Sequence, residues 1–144
     1  MGTETMGRVL VTARIENMED LYAVRLGVLT PDQVRFIEAT DALVDTGAST
    51  LSLPTRMIAH LGLDFLRSQR VRSATGSGQT RVYGTAKLTI QGRACPTDVL
   101  EVPDDCPILI GQIPLEAMDW VVDLTGRQLI GNPAHGGELI YELY

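Results

Sequence analysis

Asp45, Thr46 and Gly47 follow the apolar pair Leu43-Val44 and precede Ala48, Ser49 and Thr50. A carboxylate at the end of an apolar strand, beside a glycine that lets the backbone turn sharply, is a candidate for general acid/base work. It sits on a rigid element and can exchange a proton with water or polarise a carbonyl. Thr46 adds a hydroxyl able to bond a neighbouring strand or chain. Beyond it, Leu51-Ser52-Leu53-Pro54 resumes an apolar alternation that would anchor the far side of the loop. Asp and Gly are also ordinary turn residues, so the three letters alone leave a plain turn open.

Other reacting groups fail on inventory. His60 and His135 are far apart, neither lies in a His-Glu-x-x-His pattern, and the chain holds no serine-hydrolase elbow, Walker loop or dinucleotide fingerprint. Cys95 and Cys106 are the only cysteines, too few for a disulfide scaffold or a structural zinc site, and are expected as reduced thiols. Pro103-Asp104-Asp105 lacks the ligand spacing of a calcium loop and reads as a solvated turn. No metal and no cofactor is expected.

The elements that must carry Asp45 are strands. The chain has 144 residues, 44% of them hydrophobic, with 14 Gly and 7 Pro, a composition suited to short strands and turns within one domain over 1–144. Its formal charge of -6 would repel a phosphate backbone or an anionic bilayer, so neither nucleic acid nor membrane is expected as a partner. Met1 to Gly7 shows no secretion-signal pattern and no stretch has the length of a spanning helix, which makes the cytoplasm the expected location.

Val9, Val11, Ala13 and Ile15 alternate with Arg8, Leu10, Thr12, Arg14 and Glu16 and predict a half-buried strand, with a turn at Asn17 to Asp20. Leu21 to Leu29 reads as a second strand and Val34 to Val44 as the strand entering Asp45. Pro54 to Leu61 reads as a short helix ended by Gly62. Val71 opens a hairpin with its tip at Thr75-Gly76-Ser77-Gly78-Gln79, returning over Arg81 to Ile90. After the turn at Gln91-Gly92-Arg93 come strands over Cys95 to Val102 and Pro107 to Gly111, then a helical stretch at Pro114 to Met118. A hairpin over Trp120 to Ile130 and a terminal strand over Glu138 to Tyr144 complete the reading.

With its flanks, the stretch around Asp45 resembles the active-site loop of aspartic proteases: two apolar residues, Asp-Thr/Ser-Gly, then a small residue. Only one such loop is present, so the resemblance is to retropepsins, the homodimeric single-domain members. It implies an all-β, closed, barrel-like retropepsin (acid protease) fold with one or two short helices. It implies Asp45 as the catalytic residue, supported by Thr46, Gly47 and Ala48, with a second Asp45 supplied by the partner of a homodimer. Thr75, Gly76, Ser77 and Gly78 correspond to the substrate-binding flap. Leu109, Ile110 and Gly111 correspond to the family's second signature, two apolar residues and a glycine. Retroviral members usually have an Asp two residues after the motif glycine and an Arg after the second-signature glycine; Ser49 and Gln112 stand there instead. Leu139 to Tyr144, with Val9 to Ile15, is expected to build part of the subunit interface.

The activity so implied is that of an aspartic endopeptidase acting on extended peptide or protein substrates. The alternative is a retropepsin-like dimer that binds peptides or serves as a dimerisation scaffold without cutting. Two facing carboxylates share one proton over a wide pH range, the arrangement for which aspartic proteases are the standing example. Ala48 lacks the hydroxyl common at this position in pepsin-like enzymes, so the optimum is expected at about pH 5 to 6.

Overall fold

Alternation builds the first strand as expected. In β1 (Leu10–Asn17), Val11, Ala13 and Ile15 are buried while Leu10 and Thr12 are exposed, so one face belongs to the core. The computed structural model describes residues 8–143; the readings of Met1 to Gly7 and of Tyr144 fall outside these residues.

The second expected strand is a helix. α1 (Met18–Arg25) starts where the Asn17 side chain accepts a hydrogen bond from the Asp20 amide at 3.1 Å, with Glu19 and Asp20 in its first turn and Arg25 in its last. An N-cap and charges matched to the helix dipole outweigh the strand-like alternation of Leu21, Ala23 and Arg25. Behind the cap lies a polar tie. Asp20 is buried and takes both forks of Arg35, from Nε and Nη2, at 2.9 Å each, while Asn17 Nδ2 donates to the Leu61 carbonyl at 2.8 Å. The Arg35 guanidinium holds the Asp20 carboxyl below the ordinary carboxylate range.

β2 (Phe36–Val44) leads to the Asp45 loop, and β3 (Leu51–Pro54) leaves it fully buried. α2 (Thr55–Leu61) ends on Gly62 at φ +64, a left-handed cap that glycine adopts without strain. β4 (Asp64–Ser73) and β5 (Gly76–Ile90) form one long hairpin, in which Ser73 pairs with Gly76. The connection is therefore Ala74-Thr75, and Gly76, Ser77 and Gly78 lie within β5 rather than at the expected tip. β6 (Arg93–Val102) returns from the Gln91-Gly92 turn, and β7 (Leu109–Ile110) is a two-residue strand followed by α3 (Gln112–Ala117). β8 (Trp120–Asp123) and β9 (Gln128–Gly131) pair as a separate hairpin.

The main sheet runs β1-β2-β7-β3-β6-β5-β4, and β1 also pairs with β5. That last pairing closes six strands into a barrel and leaves β4 as a free edge on β5. Closure removes the exposed edges an open sheet would have. Ile15, Leu51, Leu53, Leu61, Leu88, Ile90, Val99 and Ile110 fill the core. The described residues thus form the expected all-β, closed, barrel-like fold with three short α-helices, one more than expected because α1 replaces a strand.

The C-terminal segment does not form the expected strand within this chain: residues 138–143 pair with no strand. Side chains tie them down instead. Asp119 Oδ2 lies 2.6 Å from His135 Nδ1 and accepts from the Ile140 amide at 3.2 Å, while His135 Nε2 lies 3.2 Å from Glu142 Oε2. The Tyr141 hydroxyl donates to the Ala117 carbonyl. Leu139, Ile140, Tyr141 and Leu143 remain exposed.

Candidate active site

The site is built on a crossing of strands distant in sequence. β7 lies between β2 and β3, parallel to the first (Leu43 beside Leu109, Val44 beside Ile110) and antiparallel to the second (Leu51 beside Ile110, Ser52 beside Leu109). Residues 45–50 must therefore arch over the end of β7. Three apolar residues in a row hold this crossing, since Leu51 and Ile110 are fully buried and Val44 packs against the same core.

Backbone hydrogen bonds then fix the loop. The Asp45 amide donates to the Ile110 carbonyl at 2.9 Å, and the Asp45 carbonyl accepts from the Ala48 amide at 3.0 Å. On the far side, Gly111 N donates to Thr50 O at 3.0 Å, Gln112 N to Ala48 O at 2.9 Å and Ile113 N to Ser49 O at 2.9 Å. The loop and the start of α3 are thus one hydrogen-bonded unit. Asp45 Oδ1 accepts from the Gly47 amide at 3.0 Å, which turns the carboxylate back across its own loop and leaves Asp45 half-buried. Thr46 is exposed, and its hydroxyl makes no hydrogen bond among the described residues.

The fold brings the two predicted groups together. Asp45 is bonded to Ile110, and Ala48 lies close to Gly111, so the loop that also carries Thr46 and Gly47 is mounted on the Leu109-Ile110-Gly111 stretch. Ser49 and Gln112 share no hydrogen bond among the described residues: Ser49 O accepts from Ile113 N, Gln112 N donates to Ala48 O, and the Gln112 side chain donates to Glu116 at 2.8 Å. Thr75, Gly76, Ser77 and Gly78 stand at the far end of the β4/β5 hairpin, exposed, and no hydrogen bond joins them to the Asp45 loop among the described residues.

Between loop and hairpin runs a groove of about 820 Å³. Gly47, Ala48 and Thr50 border it on one side, Val82 and Thr97 form its floor, and β4 forms its outer wall. Three residues here escaped the sequence reading. Thr50 Oγ1 lies 2.9 Å from Thr97 Oγ1 and also donates to the Asp98 carbonyl at 3.2 Å, tying the loop to β6. The Asp98 carboxylate faces Arg67 of β4 at 3.7 Å, across the groove. Thr97 had a signal, being the polar member of the inward-facing row Cys95, Thr97, Val99; Asp98 had none.

What such a site can do follows from the one carboxylate that its loop carries. A half-buried Asp mounted rigidly beside the groove can accept or deliver one proton, and a second acid/base group must come from outside the loop. Among the described residues no group of three or more His, Cys, Asp or Glu side chains is placed to hold a metal ion. No helix among them is long and apolar enough to cross a membrane. A family model described as "gag-polyprotein putative aspartyl protease" matches residues 38–116, which run from β2 through the Asp45 loop, the hairpin and β7 into α3. No curated protein matches the chain.

Proposed function

The chain belongs to the retropepsin-like aspartyl protease family, and on that premise we propose that it is an aspartic endopeptidase working as a homodimer, with one Asp45 from each copy. The observation that carries the reading is the mounting of Asp45: its amide is anchored on Ile110 at 2.9 Å, at the edge of a groove, in a chain that supplies one such carboxylate. A homodimer completes the site because a two-fold axis beside the loop places the same residue opposite itself. The exposed Thr46 hydroxyl and the exposed Leu139, Ile140, Tyr141 and Leu143 support a partner surface.

In the assembled site one carboxyl is ionised and the other protonated, because two close negative charges are costly. The ionised group takes a proton from a water held between them as that water's oxygen attacks the scissile carbonyl. The protonated group donates to the carbonyl oxygen. Collapse of the tetrahedral intermediate returns a proton to the leaving amine and breaks the C–N bond. Thr46, Gly47 and Ala48 hold the geometry, and Thr75 to Gly78 close over the peptide. The free thiols of Cys95 and Cys106 suit a reducing compartment, in keeping with a cytoplasmic enzyme.

The test compares wild type with Asp45→Asn on an unstructured protein between about pH 4 and 7, with oligomeric state recorded for both. Cleavage by a dimeric wild type should fall by at least about 100-fold in an equally dimeric variant, the scale of a lost acid/base group. Two dimers that bind peptide and do not cut would establish the binding-module reading in its place.

A further inference from the structure

The charge of this chain is unevenly placed. Its 18 Asp and Glu outnumber its 12 Lys and Arg, yet from Phe65 to Thr97 there is no acidic residue at all, while Arg67, Arg70, Arg72, Arg81, Lys87 and Arg93 fall within that stretch. The stretch comprises most of β4, all of β5 and the start of β6, which are the hairpin and the floor of the groove.

The groove's lining sets three guanidinium groups, Arg67, Arg70 and Arg72, against two carboxylates, Asp98 and Glu101. Asp98 faces Arg67 at 3.7 Å, and Glu101 accepts from the Thr55 hydroxyl at 2.8 Å. Arg70 and Arg72 also border the groove, are exposed, and pair with no carboxylate among the described residues. Both faces of β4 reach the groove because β4 is the free edge of the sheet. Two guanidinium groups therefore stand beside the peptide path in a protein whose net charge would otherwise repel an acidic ligand.

Their spacing matches a ligand. Residues two apart in a strand project on the same side and are separated by about 7 Å, which is also the repeat of alternate side chains in an extended peptide running alongside. We infer that the groove selects acidic segments, with Asp or Glu at alternate positions of an extended peptide met by Arg70 and Arg72. Arg suits this task because its planar fork takes a carboxylate in two parallel hydrogen bonds. This specificity rests on the endopeptidase reading for its consequence, while recognition itself is a matter of binding.

The experiment separates the two. The Asp45→Asn protein is titrated with a fluorescent unstructured peptide carrying acidic residues at alternate positions, and with its counterpart in which they are Asn or Gln. The acidic peptide should bind about tenfold tighter at low salt, and the preference should shrink in about 0.5 M salt. Adding Arg70→Gln and Arg72→Gln should remove the preference and leave binding of the neutral peptide unchanged. Arg→Lys at both positions should keep part of it. Equal binding of the two peptides, no binding of either, or a preference that survives the double Gln variant overturns the inference. Wild-type cleavage of the same pair is read separately. Equal cutting of both refutes the selectivity and upholds the protease, whereas selective binding without cutting does the reverse.

Discussion

Gly111 lies so close beneath the Asp45 loop that a Cβ there would sit 2.5 Å from the Thr50 carbonyl oxygen and 2.7 Å from that of Ala48. Both obstacles are backbone, and both residues are already bonded to this stretch, so neither can move aside alone. Gly111→Ala should destabilise the protein by about 1–3 kcal/mol, the range for overpacked sites. Cleavage should fall further than the unfolded fraction accounts for, because the loop itself must shift. Urea unfolding and activity at a fully folding urea concentration measure the two effects.

Asp20 and Arg35 give a stability effect with a defined pH sign. The Arg35 guanidinium lowers the Asp20 carboxyl, so the contribution is present above the unfolded-state value and lost as pH falls through the folded one. Asp20→Asn should cost about 1–2 kcal/mol at pH 7, scaled down because the Arg35 side chain is 50% exposed. The gap between variant and wild type should narrow below about pH 4, as wild-type Asp20 becomes protonated. Thermal melts at a series of pH values supply the curve.

His135 reverses that sign. Hydrogen bonds that its ring donates to the Asp119 carboxylate first and Glu142 second raise its imidazole above the ordinary value, so its hold on the C-terminal segment is fullest while protonated and weakens as pH rises through the raised value. NMR signals of Ile140 and Glu142 should move together as pH rises through that raised value. His135→Gln should abolish the transition and leave the signals of the Asp45 loop in place.

Ala48 offers no hydroxyl to the carboxylate beside it, and its own amide is engaged by the Asp45 carbonyl. An added hydroxyl stabilises the charged form of a neighbouring acid. Ala48→Ser should therefore move the acidic limb of the cleavage profile to lower pH. An acidic limb that stays in place or moves to higher pH in the variant would contradict this.

How far the fold could be read depended on how local its causes are. β1, α2 with its Gly62 cap and the β5/β6 turn follow from neighbours in sequence, through alternation, Pro54 and the Gln91-Gly92 pair. α1 was misread because Leu21 and Ala23 mimic a strand, although Asn17 and the acidic first turn already signalled a helix. The glycines of Gly76 and Gly78 drew the hairpin tip too far along, since a glycine marks freedom and not the place of a turn. At the site, Asp45 was legible as a candidate from its flanks, while its contact with Ile110 was not, because parallel pairing between remote strands leaves no local pattern. The acid-free stretch was plain in the sequence; that it lines a groove required the fold.

The placement of β7 between β2 and β3 also sets an order of events in time. Asp45 is held by a strand whose residues are made long after it, and contacts so far apart along the chain form late because their closure costs the most entropy. A chain still emerging from the ribosome carries Asp45 without the Ile110 carbonyl that mounts it. The Asp45 loop thus takes its final geometry only once synthesis has passed β7, so the two halves of the site are completed in a single late step.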